Sequence, residues 1–260
     1  SSCEENPSQA FKVNALGARN LAIVAAKMQA KMVQLSTDDV FDGKSTEPYT
    51  EFDITNPGTV YGKSKLAGEN YVKEFTTKHF IVRSTWVYGK GQNFINGFLK
   101  KVDAGEQLSI ASDQFGSPTS ANELARFLLH LVHTSEYGTY HATNKGVCSR
   151  YAFAQEILKM TGKTASMQPV PTVMSDFSKV RPAYAVLDNF IMSFIALLAG
   201  ALAGVIINYV IPSNYVVDDI IVQGVFYIVG QGFIRLMRML VVPLVFCSIV
   251  CGSMAVGDTK

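Results

Sequence analysis

Charge is what the last quarter of this 260-residue chain has least of: residues 1–189 carry 38 Asp, Glu, Lys and Arg side chains and residues 190–260 only six. Cysteine is scarce as well. Cys3, Cys148, Cys247 and Cys251 are too few and too scattered for a disulfide scaffold, which suits a reducing compartment. Cys247 and Cys251 lie four apart with no His or carboxylate beside them, so they read as small packing residues and no metal site is predicted. A formal net charge of +2, with both parts near neutral, excludes a nucleic-acid partner, which requires a basic face to displace counterions. Internal repeats and low-complexity linkers are missing, which excludes solenoids and tethered tails. A glycine-rich turn is missing too. None of the 20 glycines falls in a G-x-G-x-x-G or G-x-x-G-x-x-G pattern opening a helix, the arrangement whose backbone N–H groups face a pyrophosphate.

What the tail does contain is an apolar run of 28 uncharged residues from Phe190 to Val217, longer than the roughly 20 a helix needs to cross a bilayer core. A span is predicted over Phe190–Ile211, with Gly200 and Gly204 in a spacing that lets a second helix approach closely. Pro212, Ser213 and Asn214 end it, and the connection up to Asp219 has no Lys or Arg, which favours the non-cytoplasmic side. A second apolar segment follows from about Ile228 to Val256. Its Arg235 and Arg238 are more cheaply placed at the interface than at mid-bilayer, where each costs a few kcal/mol. Residues 190–260 are therefore expected to be two transmembrane α-helices associated with a membrane.

Residues 1–189 have another rhythm. Helical patterns over 6–28, 61–75, 93–105, 120–134 and 149–162 alternate with short apolar runs at 31–36, 80–84, 107–111 and 138–142. Ser120 and Ser149 are placed as helix caps. This alternation predicts an α/β fold built on one parallel sheet covered on both faces.

Two residues in that sheet suggest chemistry. Tyr61 and Lys65 are four apart on the helix that opens near Pro57, so they share a face one turn apart. An ammonium beside a phenol favours the phenolate. Lowering a phenol by about three pH units needs roughly 4 kcal/mol, which a partly buried lysine and a bound cofactor can supply together. The pair then makes a proton donor for neutral pH. Tyr-x-x-x-Lys alone is a weak signal, but Thr37 stands 24 residues earlier at the end of a predicted strand, where its hydroxyl can reach a substrate carbonyl.

Thr37, Tyr61 and Lys65 resemble the active site of the extended short-chain dehydrogenase/reductase family. The stretches STDDVFDG, PYTEFDITNPGTVYGKSKLAGE, IVRSTWVYGKGQNF, DQFGSPTSANELA and RPAYAVLDN together resemble its dTDP-4-dehydrorhamnose reductase branch over about residues 1–189. The resemblance implies reduction of the 4-keto group of a nucleotide sugar with NADPH or NADH. In it Tyr61 protonates the keto oxygen, Lys65 holds the nicotinamide ribose, Thr37 aligns the substrate and Trp86 borders the sugar. Asp113, Gln114 and Thr119 belong to a substrate-side loop motif without individual roles. The reductase part is expected in the cytoplasm, and oligomeric state is left open, a homo-oligomer included.

Three departures qualify this. Asp39 stands where the reductases usually have Tyr, and the tripeptide Thr37-Asp38-Asp39 by itself fits a nucleotide-sugar dehydratase as well. The family's first strands and glycine-rich turn have no counterpart, so the Rossmann-like sheet is expected to be partial, lacking its N-terminal strands, and NADPH binding poor. The tail, ending in GFIRLMRMLVVPLVFCSIVCGSMAVGDTK, resembles the first two helices of the sodium:dicarboxylate symporters, without that family's later substrate and sodium sites. The chain thus reads as two unrelated pieces joined near Asn189. Three classes of function stay open: a reductase, a fragment of a membrane transporter, and a non-catalytic binding subunit of the same fold.

Overall fold

The computed structural model describes residues 2–174, 182–191, 200 and 202. The chain divides into two compact units, Ser1–Ile195 and Ala196–Lys260. In the second only Gly200 and Leu202 are described, both exposed. Apart from Phe190, Ile191, Gly200 and Leu202, the predicted spans lie outside the described residues. Among the described residues no helix is long and apolar enough to cross a membrane.

The first unit opens with α1 (Ser2–Glu5), α2 (Pro7–Phe11), a π-turn over Lys12–Leu16 and α3 (Gly17–Lys27). Strand β1 (Met32–Thr37) follows, then α4 (Val60–Phe75), β2 (His79–Ser84) and β3 (Val87–Tyr88). Next come α5 (Phe94–Asp103), β4 (Leu108–Ala111), β5 (Phe115–Gly116), β6 (Thr119–Ser120) and α6 (Ala121–His133). The unit closes with β7 (Gly138–His141), β8 (Cys148–Ser149), α7 (Arg150–Thr161), β9 (Met167–Val170) and β10 (Tyr184–Ala185).

Among the described residues the main sheet is parallel with order β1-β2-β7. The strand expected at 107–111 does not join it. That strand, β4, pairs with β9 in a separate two-stranded sheet, and β5 lies between β8 and β10 in another. Short apolar runs mark strands but carry no record of their partners, so one sheet was expected where several stand.

Alternation along β2 explains the layers. Phe80 and Val82 point to α6, where they pack with Leu124 and Leu131, and with Tyr140 of β7. Ile81 points the other way, onto Ala18, Ala22 and Val72 of α3 and α4. The helical reading of 6–28 is met, but its large residues are not what α3 buries. Ala15, Ala18 and Ala22 face inward, whereas Val13, Leu21, Val24 and Met28 are exposed. The cause is a close helix crossing: a Cβ at Gly68 of α4 would lie 2.3 Å from the Asn14 carbonyl oxygen. Backbones this near admit only small side chains.

Caps follow the sequence in part. Ser149 Oγ accepts from the Ala152 N–H, whereas Ser120 holds the cap position without a side-chain hydrogen bond.

Arg83 shares the parity of Ile81 and meets Glu69 of α4 in a bidentate ion pair, Nε to Oε1 at 3.0 Å and Nη2 to Oε2 at 2.7 Å. Its register partner on β7 is His141, also fully buried. His141 Nδ1 lies 3.0 Å from the Tyr49 carbonyl oxygen and 3.1 Å from that of Asp188, so Nδ1 carries the hydrogen and donates. Burial, and then the Arg83 charge, push His141 down to about 3. A histidine neutral in the fold and protonated near 6.5 when unfolded contributes stability above pH 6.5, lost as pH falls toward 3. The expected slope is about 1.4 kcal/mol per pH unit in that window. Urea midpoints from pH 7 to pH 4 should fall accordingly, and His141→Leu should flatten the slope; an unchanged slope in the variant would refute the assignment.

Candidate active site

The ends of β1 and β2 open on a cavity of about 360 Å³. Thr37, the last residue of β1, lines it together with Tyr61 and Trp86. Three of the four residues singled out in the sequence are therefore brought together. Tyr61 sits in the first turn of α4, where the Thr59 hydroxyl accepts from the Gly62 N–H at 2.9 Å. The Glu4 carboxylate accepts from the Val60 N–H at 2.8 Å, so α1 helps to fix the start of that helix. Gly62 is required next to Tyr61, because a Cβ there would lie 2.0 Å from the Asp39 carbonyl oxygen. This contact locks α4 against the loop after Thr37.

Lys65 lies on α4, as its spacing from Tyr61 requires. It follows Tyr61 by one turn but is not among the residues lining the cavity, and its Nζ donates to the Leu35 carbonyl oxygen at 2.6 Å. Burial lowers its pKa, partly opposed by Glu69. The side chain is half-buried at the sheet edge.

Thr37 is more constrained than its position in the sequence implies. Its hydroxyl donates to Asp38 Oδ1 at 2.8 Å and accepts from the Asp39 N–H at 3.2 Å. The other Asp38 oxygen accepts from the Thr85 hydroxyl at 2.7 Å. Asp38 and Asp39 are buried, and Asp38 acts as the brace of Thr37. Sequence reasoning missed Thr85 altogether; the only signal was its place beside Trp86 at the end of a strand.

Trp86 is seated by its surroundings. Its backbone φ is +45°, outside the ordinary range for a side-chain-bearing residue. One side of the ring lies on Gly116, where a Cβ would come within 2.5 Å of Cε2. The Arg150 guanidinium lies 3.6 Å from the ring centroid and 5.0 Å from that of Phe94. Arg150, Phe94 and Phe153 also line the cavity, and none was foreseen as a site residue. They arrive from α5 and α7, remote in sequence from Thr37 and Tyr61. Gln114 lines it as well, while Asp113 is turned away to hold Thr172.

Among the described residues no His, Cys, Asp and Glu cluster is arranged to hold a metal ion. The Lys65 ammonium has donors beyond the one given to the Leu35 carbonyl and is chemically able to hold ribose hydroxyls. A glycine-rich turn for a pyrophosphate is not found among the described residues.

Parallel strands ending at a cavity, with helices on both faces, define an α/β protein of the Rossmann type. The chain belongs to the RmlD substrate binding domain family, whose model matches residues 1–197. A second model, that of the sodium:dicarboxylate symporter family, matches residues 190–260.

Among curated relatives, the spore coat polysaccharide biosynthesis protein SpsK of Bacillus subtilis is 39% identical over 188 residues, covering 72% of this chain and 66% of the relative. The dTDP-4-dehydrorhamnose reductase of Escherichia coli K12 is 34% identical over 191 residues, covering 69% and 64%. The chain thus spans slightly under two thirds of the length of such relatives. A dTDP-4-dehydrorhamnose reductase structure from Clostridium acetobutylicum is 44% identical with TM-score 0.72, covering 75% of this chain and 70% of that one. One from Bacillus anthracis, in complex with NADP, is 39% identical with TM-score 0.72, covering 74% and 69%. A dTDP-glucose 4,6-dehydratase from Streptomyces venezuelae shares the fold at 17% identity and TM-score 0.65.

Proposed function

We propose that residues 1–189 are the substrate-binding and proton-donating part of a dTDP-4-dehydrorhamnose reductase, reducing the 4-keto group of dTDP-4-dehydro-L-rhamnose. The observation that carries this reading is the convergence of Thr37, Tyr61 and Trp86 on one cavity. Tyr61 donates its phenolic proton to the keto oxygen as that oxygen gains charge. Thr37 turns its single hydroxyl hydrogen from Asp38 to the same oxygen, a rotation a hydroxyl makes freely. Trp86 forms the wall against which the sugar lies. A bound NADPH or NADH would supply hydride to the ketone carbon. Lys65 would hold the cofactor's ribose, and its positive charge favours the Tyr61 phenolate until solvent reprotonates it.

The arrangement of Asp38 favours reduction over dehydration. Both of its oxygens already accept hydrogen bonds from threonines, an arrangement suited to bracing rather than to acid catalysis. Oxidation of NADPH that depends on the keto sugar nucleotide tests the reading. Loss of a dTDP-glucose substrate by dehydration, with no net NADPH consumed, would favour the dehydratase instead.

We assign residues 190–260 to the membrane and residues 1–189 to the cytoplasmic side. The 28-residue uncharged run and the symporter-family match support that assignment. Resistance of the full chain to alkaline extraction from vesicles tests it.

A further inference from the structure

We propose that Gln114 is a specificity-determining residue of the cavity, donating a hydrogen bond from its carboxamide to an oxygen on the hexose ring of the bound nucleotide sugar. Gln114 is only 5% exposed, yet its Nε2 is buried with no hydrogen-bond partner. Buried donors are rarely left so, because an unmade hydrogen bond forfeits the full cost of desolvation. A donor that lines a cavity and lacks a protein partner is set for a ligand oxygen. Ser36 Oγ, beside Thr37 at the reacting end, is the other unpartnered group of the cavity wall.

The backbone around Gln114 is pinned, which holds the carboxamide in place. Its carbonyl oxygen accepts from the Arg150 N–H at 3.0 Å, and the following Phe115 N–H donates to the Ala183 carbonyl oxygen at 2.8 Å. Alternation along this extended segment puts Gln114 on the same face as Gly116, the residue on which the Trp86 ring lies. The carboxamide therefore belongs to the Trp86 side of the cavity. Resting on the functional reading above, that side takes the hexose, so a sugar oxygen is the acceptor rather than the diphosphate.

The test is calorimetric binding of dTDP and of dTDP-L-rhamnose to the full chain and to two variants. Wild type is expected to gain about tenfold in affinity from the hexose. Gln114→Met, close in shape but without a donor, should lose that gain while binding dTDP within about threefold of wild type. It should also melt no lower than wild type, since an unpartnered donor has been removed. Gln114→Asn, which withdraws the carboxamide by one methylene, should lose the gain as well and decides the matter if the Met variant does not fold. Retention of the full hexose gain by these variants, or an equal loss on dTDP, would overturn the inference. A wild type that binds dTDP but gains nothing from the hexose overturns it alone; one that binds neither ligand overturns the functional reading and this inference with it.

Discussion

Tyr61→Phe lowers kcat for the keto sugar nucleotide by about 10²–10⁴-fold, the range a positioned general acid contributes. The substitution removes one hydroxyl from the first turn of α4 and leaves its cap, the Thr59 hydroxyl on the Gly62 N–H, untouched. Binding of dTDP-L-rhamnose should therefore stay within a few-fold, so that the loss falls on kcat rather than KM. Single-turnover assays at saturating NADPH, with calorimetry on the same variant, separate the two. A Tyr61→Phe chain that turns over at the wild-type rate would remove Tyr61 from the mechanism. A loss confined to KM would make it a binding residue only.

Glu69→Ala destabilises the first unit by about 3–5 kcal/mol, because it leaves the Arg83 guanidinium buried without its counter-charge. Neither side chain of this pair exceeds 3% exposure, so water cannot take the place of the carboxylate. For a unit of this size that energy corresponds to a fall of about 6–20 °C in Tm. The double variant Glu69→Leu with Arg83→Met should recover most of the loss, since two apolar side chains of similar volume leave no charge unpaired. Calorimetric melting of the three proteins checks this. A fall under about 1 kcal/mol in Glu69→Ala would mean that solvent reaches the pair. The ion pair holds α4 against β2, and α4 carries Tyr61, so the same substitution should also reduce turnover at temperatures well below its Tm.

The two predictions draw on different levels of information. Tyr61 could be singled out from spacing, because a four-residue interval on a helix fixes two side chains on one face whatever the rest of the chain does. Thr37 came from its place at the end of a predicted strand and Trp86 from the family likeness, and the cavity includes both. The pairing of Arg83 with Glu69 was invisible. Fourteen residues separate them, and only the parallel register of β2 beneath α4 brings them together. Gly116 and Arg150 were likewise beyond sequence reasoning as partners of Trp86, since Gly116 lies in the third strand after that residue and Arg150 opens α7 only after the sixth.

Local signals recorded the helices and strands well, since the hydrophobic period is set by neighbours a few residues away. Partnership of the strands failed, and so did the inner face of α3. There the alanines are buried and the larger residues exposed, because the close approach of Asn14 to Gly68 excludes bulk. What the sequence by itself determined is the one-turn interval between Tyr61 and Lys65 on α4 and the order of helices and strands, since both rest on short intervals along the chain. Tertiary structure alone decided that Lys65 holds the Leu35 carbonyl, that Asp38 braces Thr37, and which distant side chains wall the cavity. Those contacts depend on the crossing distance of packed backbones, which no interval along the chain encodes.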